Sequence, residues 1–244
     1  YCSTILHTRA ASLLSSRTPM QGGVELYGNA NIASDIEVLS LMVETLDKAG
    51  VQQLHVDLGH VEIFRSLARQ ADLSESQEKH LFDLLQHKAM TDLDEFVDSQ
   101  ITDKDCAAML KALACLNGGV EILAQARECL AKASSKVQSA LDALEQAANA
   151  LTQRYPQVDL YFDLSELRGY NYHTGLVFAA YAAGHGEAVA KGGRYDETGA
   201  VFGRARPATG FSADLKVLAT LGNQECKNCF AIFAPVPADS DSAA

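Results

Sequence analysis

The stretch that decides the fold runs from Gln157 to Ala183. It reads QVDLYFDL over 157–164, ELRGYNYHTG over 166–175 and LVFAAYAA over 176–183, with Ser165 between the first two. Val158, Leu160 and Phe162 alternate with Asp159, Tyr161 and Asp163, the two-residue period of a strand with one buried face. The final part is a continuous apolar run, and with Glu187–Ala190 it predicts a hairpin about Gly184-His185-Gly186. Between the two lies a loop dense in Arg, Tyr, Asn and His. Together with further extended stretches at the front of the chain, this predicts a mostly antiparallel sheet interrupted by helices: an α+β domain.

Working upstream, 73–154 changes character. Ser74 with Gln77 is a capping-box pattern, and Leu81, Leu84 and Leu85 follow at helical spacing. Shorter helices centred on Phe96, Leu110 and Ile122 come next, then a long Ala-rich helix from Ser135 to about Thr152. This block reads as an all-helical insertion whose acidic face is solvated. Before it, Tyr1–Arg9 and Met20–Gly28 read as extended segments around a polar loop. Ser34 is the expected cap of an amphipathic helix closed by Gly50, Gln52–Gly59 a strand, and 60–69 a second helix. Downstream, Gly192–Asp196 is expected to be a turn, Ser212–Leu221 a helix and Cys229–Ala234 a last strand. The resulting organisation has a core in two parts, 1–72 and 155–235, the helical insertion 73–154, and a flexible tail 236–244.

The 244 residues suffice for a sizeable buried core, and 48% hydrophobic with 21% charged residues excludes disordered and low-complexity classes. Lys and Arg number 20 against 31 Asp and Glu, a net charge of −11 that disfavours non-specific binding to nucleic acid or anionic membranes. No apolar run approaches the roughly 18 residues of a membrane span, and nothing at the front reads as a signal peptide. The start at Tyr1, inside a strand-like pattern, is expected of a piece of something longer. Of six cysteines, Cys106, Cys115 and Cys129 fall at apolar positions of helical segments, which suits reduced thiols in the cytoplasm. Cys226 and Cys229 have CxxC spacing, but no second pair completes a zinc site, so they read as incidental. No metal or cofactor is expected.

Three clusters carry candidate chemistry. Gln21 and Glu25 are four apart on one strand and share a face. They either bind a ligand ammonium or imidazole N–H, or belong to a solvated edge. Glu166–Gly175 gathers Arg168, Tyr170, Asn171, Tyr172 and His173, which suits a small zwitterion: Arg forks onto a carboxylate, and Tyr and His add oriented hydrogen bonds. A structural turn is the other reading of that loop. The glycines of Gly192-Gly193-Arg194-Tyr195-Asp196 lack the Lys-Ser/Thr ending of a P-loop and the order GxGxxG.

These clusters, in this order, resemble the catalytic core of the class II histidyl-tRNA synthetases. Residues 5–9 with 21–28 resemble motif 2, Leu167–Tyr172 resembles the histidine-recognition segment, and Gly192–Asp196 with 209–216 resembles the end of the core and motif 3. The resemblance implies a class II synthetase-like fold with Gln21, Glu25, Arg168, Tyr172 and His173 binding histidine. Arg9, Arg17 and Tyr195 are accessory candidates, and His173 stands where the synthetases usually have Tyr.

Two departures matter. The motif 2 arginine that would hold the ATP α-phosphate is matched by Leu6, and the motif 3 arginine by Lys216. Leucine offers neither charge nor donor, and lysine loses the planar fork. A kept amino-acid site beside a lost nucleotide site resembles the regulatory-subunit paralogues of the short-form ATP phosphoribosyltransferase. That resemblance implies a cytoplasmic, non-catalytic chain working with a short catalytic subunit in the first step of histidine biosynthesis, with L-histidine as feedback effector. It also implies self-association through the family dimer and no tRNA partner. The family's motif 1 is expected upstream of Tyr1. A working synthetase core and a scaffold that binds no histidine are the alternatives.

Overall fold

A computed structural model describes residues 1–8, 17–167 and 169–222. Its strands are β1 (Cys2–Thr4), β2 (Met20–Tyr27), β3 (Leu54–His60), β4 (Asn117–Gly118), β5 (Asp159–Asp163), β6 (Leu176–Ala182), β7 (Ala190–Arg194) and β8 (Ala208–Asp214). They form one sheet in the order β1-β2-β8-β7-β6-β3-β5-β4, antiparallel throughout except for the β3–β5 pair. The helices are α1 (Ile32–Lys48), α2 (Val61–Gln70), α3 (Glu75–Gln86), α4 (Met90–Gln100), α5 (Lys104–Leu113), α6 (Ile122–Cys129), α7 (Ser135–Arg154) and α8 (Leu215–Leu221).

Strand alternation divides the sheet cleanly. Leu54, Val56 and Leu58 of β3, Leu176, Phe178 and Ala180 of β6, and Phe211 and Ala213 of β8 point to one face and are buried. Helix α1 lies across β6, β7 and β8 on that face, and α7 packs on β3, β6, α1 and α2. Helices α2 to α6 extend the same hydrophobic core through Phe64, Leu67, Leu81, Leu110 and Ala126. The register places the intervening residues in rows across the other face. One row is Gly59–Val177–Gly193–Gly210–Glu25, and the next is Tyr161–Asp57–Ala179–Lys191–Ser212–Gly23. This second face carries the candidate site.

Two polar ties join the layers. Arg194 of β7 is buried and bonds Asp35 of α1 through Nε at 3.0 Å and Nη2 at 2.9 Å. Burial pushes the Asp35 carboxyl above its ordinary range, and the guanidinium pulls it back. At the end of β3, His60 caps α2: the Glu62 N–H donates to its Nδ1 at 3.3 Å. Burial holds this imidazole down at about 4, so it is neutral and keeps the acceptor nitrogen that the cap needs.

Several expectations are corrected. Asn31, not Ser34, caps α1, its side chain accepting from Ala33 N; Ser34 is buried within the first turn. The Gly192–Asp196 stretch is mostly strand, because β7 runs through Arg194, and the hairpin partner of β6 begins only at Ala190. Residues 208–214 form the strand β8 between β2 and β7, so the helix starts at Leu215 rather than Ser212. Pairing on both edges overrides the weak local signal of a segment with Pro207 and Gly210. The helical block carries one short strand, β4, paired to β5. Cys106 is buried as expected, but Cys115 follows the end of α5, and both Cys115 and Cys129 are exposed. Asn31 aside, the helices of 32–154 fall close to their expected places, and the Ser74–Gln77 capping box is present. The Cys226/Cys229 pair, the strand 229–234 and the tail lie outside the described residues.

Candidate functional site

The loop 166–175 is built as a tight turn fixed at one end. Gly169 has φ +67°, and its carbonyl accepts from the N–H of Tyr172 and of His173 at 2.9 and 2.8 Å. Tyr170 points back into the helices. Its ring lies 5.3 Å from both Phe64 and Phe82, its hydroxyl bonds Glu78, and Arg65 stacks over it while donating to its carbonyl. Tyr172 turns the other way and is 55% exposed, with its ring 4.1 Å from that of His173. His173 is buried between two glycines: a Cβ on Gly169 would fall 2.5 Å from its Nδ1, and one on Gly193 would fall 2.9 Å from its Nε2. Only glycine at both places leaves room for this ring.

Beside the loop the open face holds a cavity of about 210 Å³. Asp57, Ala179, Lys191 and Ser212, four consecutive members of one cross-strand row, line it, with Glu166, Gly169, Tyr172 and His173 as the wall. Asp57 is held by His55, whose Nε2 lies 2.9 Å from its Oδ1.

Glu25 lies next to this cavity on β2. A Cβ on Gly210 would coincide with its carboxylate, so the glycine is what admits it. The Tyr195 hydroxyl donates to Glu25 Oε2, and Tyr1 and Tyr172 also feel its charge. All three phenols are pushed above the usual tyrosine range, first by burial and then by this carboxylate. They remain neutral, and of the three Tyr195 is the one that donates to Glu25. Among the described residues no cation pairs with Glu25. A buried-edge carboxylate in that condition suits an ammonium group or an imidazole N–H.

The expected residues are distributed as follows. Tyr172 and His173 line the cavity, and Glu25 and Tyr195 are bonded to each other beside it. Gln21 shares the face of Glu25 but pairs with Asp214, and the Tyr1 phenol lies over Gly23 between them. Arg17 is exposed and donates from Nε to the His7 carbonyl at 3.1 Å, away from the cavity. Arg168 and Arg9 lie outside the described residues. Asp57, Lys191, Ser212 and Tyr1 are additions. Their signal in sequence is faint, a polar residue at an alternating strand position, and becomes readable only when the register aligns them.

The model of the histidyl-tRNA synthetase family matches residues 1–218. The chain belongs to the histidyl-tRNA synthetase family. It is 56% identical over 91% of its length to the ATP phosphoribosyltransferase regulatory subunit of Ectopseudomonas mendocina, and 55% identical over 91% to that of Azotobacter vinelandii. It spans 56% of the length of each of these relatives. An ATP phosphoribosyltransferase regulatory subunit/histidyl-tRNA synthetase from Bacillus halodurans superposes with TM-score 0.80 at 28% identity, over 92% of this chain and 58% of that one. A chain of the ATP phosphoribosyl transferase (HisG:HisZ) complex of Thermotoga maritima shares the fold, with TM-score 0.69 at 18% identity over 88% and 72%. Within the histidyl-tRNA synthetase family the two departures noted in sequence are both solvent-facing here. Leu6 is 72% exposed, and Lys216 lies exposed in the first turn of α8, its N–H on Asp214. No helix of the described residues is long and apolar enough to cross a membrane.

Proposed function

We propose that this chain is the histidine-sensing core of an ATP phosphoribosyltransferase regulatory subunit, without catalysis of its own. It acts in the cytoplasm with a short catalytic subunit in the first step of histidine biosynthesis. The observation that carries the reading is the acidic, amino-acid-sized cavity on the open face, in a chain 56% identical to a protein of that name. Glu25 takes the imidazole or ammonium of L-histidine with Gln21 nearby, Tyr172 and His173 hold the ring, and Arg168 meets the carboxylate. Leucine at position 6 and lysine at 216 leave the nucleotide phosphates without the guanidinium pair that adenylation needs. Feedback follows if histidine favours one quaternary arrangement, with a coupling of about 1–3 kcal/mol. Self-association through the family dimer and the absence of a tRNA partner belong to the same reading.

The test is a calorimetric titration of L-histidine into the full-length protein, followed by ATP–pyrophosphate exchange and by activation of a short catalytic subunit. Saturable binding, no exchange and activation that histidine reverses are expected. Exchange would make the chain a working synthetase core, and activation without histidine binding would make it a scaffold. Arg168→Ala is expected to weaken histidine binding at least tenfold with the melting curve unchanged; wild-type affinity would remove Arg168 from the site.

A further inference from the structure

The cavity contains a cation whose environment the sensing reading does not use. Lys191 lines the floor from near the start of β7, and its cross-strand neighbours on that face are small, Ala179 on one side and Ser212 on the other, with Gly193 two residues along the strand. The ammonium therefore rises alone on a four-carbon stem. Among the described residues it makes no ion pair or hydrogen bond, and it is the one cation lining the cavity. The acidic groups lie on the other side. Asp57 stands two strands away in the same row, roughly 10 Å between Cα atoms from the usual strand spacing, with only the Ala179 methyl between. Glu166 and, beyond the lining, Glu25 add to that sign.

Among the described lining residues Lys191 is the one that attracts a carboxylate, while Asp57 and Glu166 repel it and attract an ammonium or imidazole N–H. The row thus sorts the two ends of a zwitterion. We infer that Lys191 is a specificity-determining residue that receives the carboxylate of the bound amino acid, across the Ala179 gap from Asp57. This rests on the histidine-sensing reading and adds to it a second anion contact, supplied by the sheet rather than by the loop. It makes the site select the free amino acid over analogues in which the carboxylate is replaced.

The experiment titrates full-length protein and its Lys191→Met and Lys191→Arg variants with three probes: L-histidine, L-histidinol, which has an alcohol in place of the carboxylate, and imidazolepropionate, which keeps the carboxylate and lacks the ammonium. Lys191 is exposed and unpaired, so both variants are expected to melt as wild type does. Lys191→Met should weaken histidine and imidazolepropionate about tenfold, change histidinol by less than twofold, and so lower the preference for histidine over histidinol by about the same tenfold, leaving the share that Arg168 supplies. Lys191→Arg should keep most of that preference. Equal histidine affinity in Lys191→Met and wild type would overturn the role of Lys191 and leave the sensing reading intact. A parallel loss of all three probes would overturn it too, because a carboxylate contact cannot weaken histidinol. Failure of wild-type protein to bind histidine would overturn both, and wild-type protein that binds histidinol as tightly as histidine would overturn the role of Lys191.

Discussion

One sheet carries two unlike surfaces, and the residues that make them alternate along the same strands. On β6, Leu176, Phe178 and Ala180 face the helices while Val177 and Ala179 face the cavity; on β8, Phe211 and Ala213 face the core while Gly210 and Ser212 face out. The helix side is filled by branched and aromatic side chains. On the other side, the strands beside the cavity carry Ala179, Ser212, Gly193 and Gly210 around a few charges, with Val177 the branched exception. Neighbouring residues one peptide apart therefore serve stability or recognition separately, and each surface can be broken with the other left in place.

The largest effect is expected on the packed side. Phe162→Ala, at a fully buried position paired with Leu58, should cost about 3–5 kcal/mol in urea unfolding. A loss below 1 kcal/mol would mean that the two surfaces are less distinct than described. Next comes His60, whose folded value near 4 lies below the ordinary 6.5. The unfolded chain binds this proton more readily, so stability is complete above pH 6.5 and falls as pH drops toward 4. The loss is of the order of 3 kcal/mol. His60→Asn keeps a cap acceptor and should flatten that part of the pH–stability curve; an unchanged slope would assign the acid sensitivity elsewhere. On the open side, Gly193→Ala sets a methyl against both the Leu176 carbonyl of β6 and the His173 ring and should lower histidine affinity at least tenfold, about 1.4 kcal/mol. Wild-type affinity would show that this ring is not part of the binding wall. The smallest is Ser74→Ala, which removes the capping box of α3 for about 1 kcal/mol, and histidine binding should not notice it.

How much of this was legible in the sequence depended on whether the signal was local. Helix periodicity, the Ser74 capping box and the alternation of Val158, Leu160 and Phe162 are written within a few residues, and those elements stand where the pattern puts them. β8 was misread because its identity comes from partners on both edges, Tyr27 to Gln21 on one side and Arg194 to Ala190 on the other. The same reason hid Asp57, Lys191 and Ser212, which lie far apart in the chain and meet only through register. Tyr172 and His173 were legible because one short loop carries both.

Tyr170 has a consequence of another kind. It wedges the loop between Phe64 of α2 and Phe82 of α3, so the loop cannot swing away unless those aromatic contacts part. A ligand held against the loop opposes that opening, and amide protons on the neighbouring turn of α3 that exchange through it should slow by the factor 1 + [L]/Kd, about a hundredfold at a hundred times Kd. Occupancy of the cavity would then be recorded as deuterium uptake in a helix that does not line it.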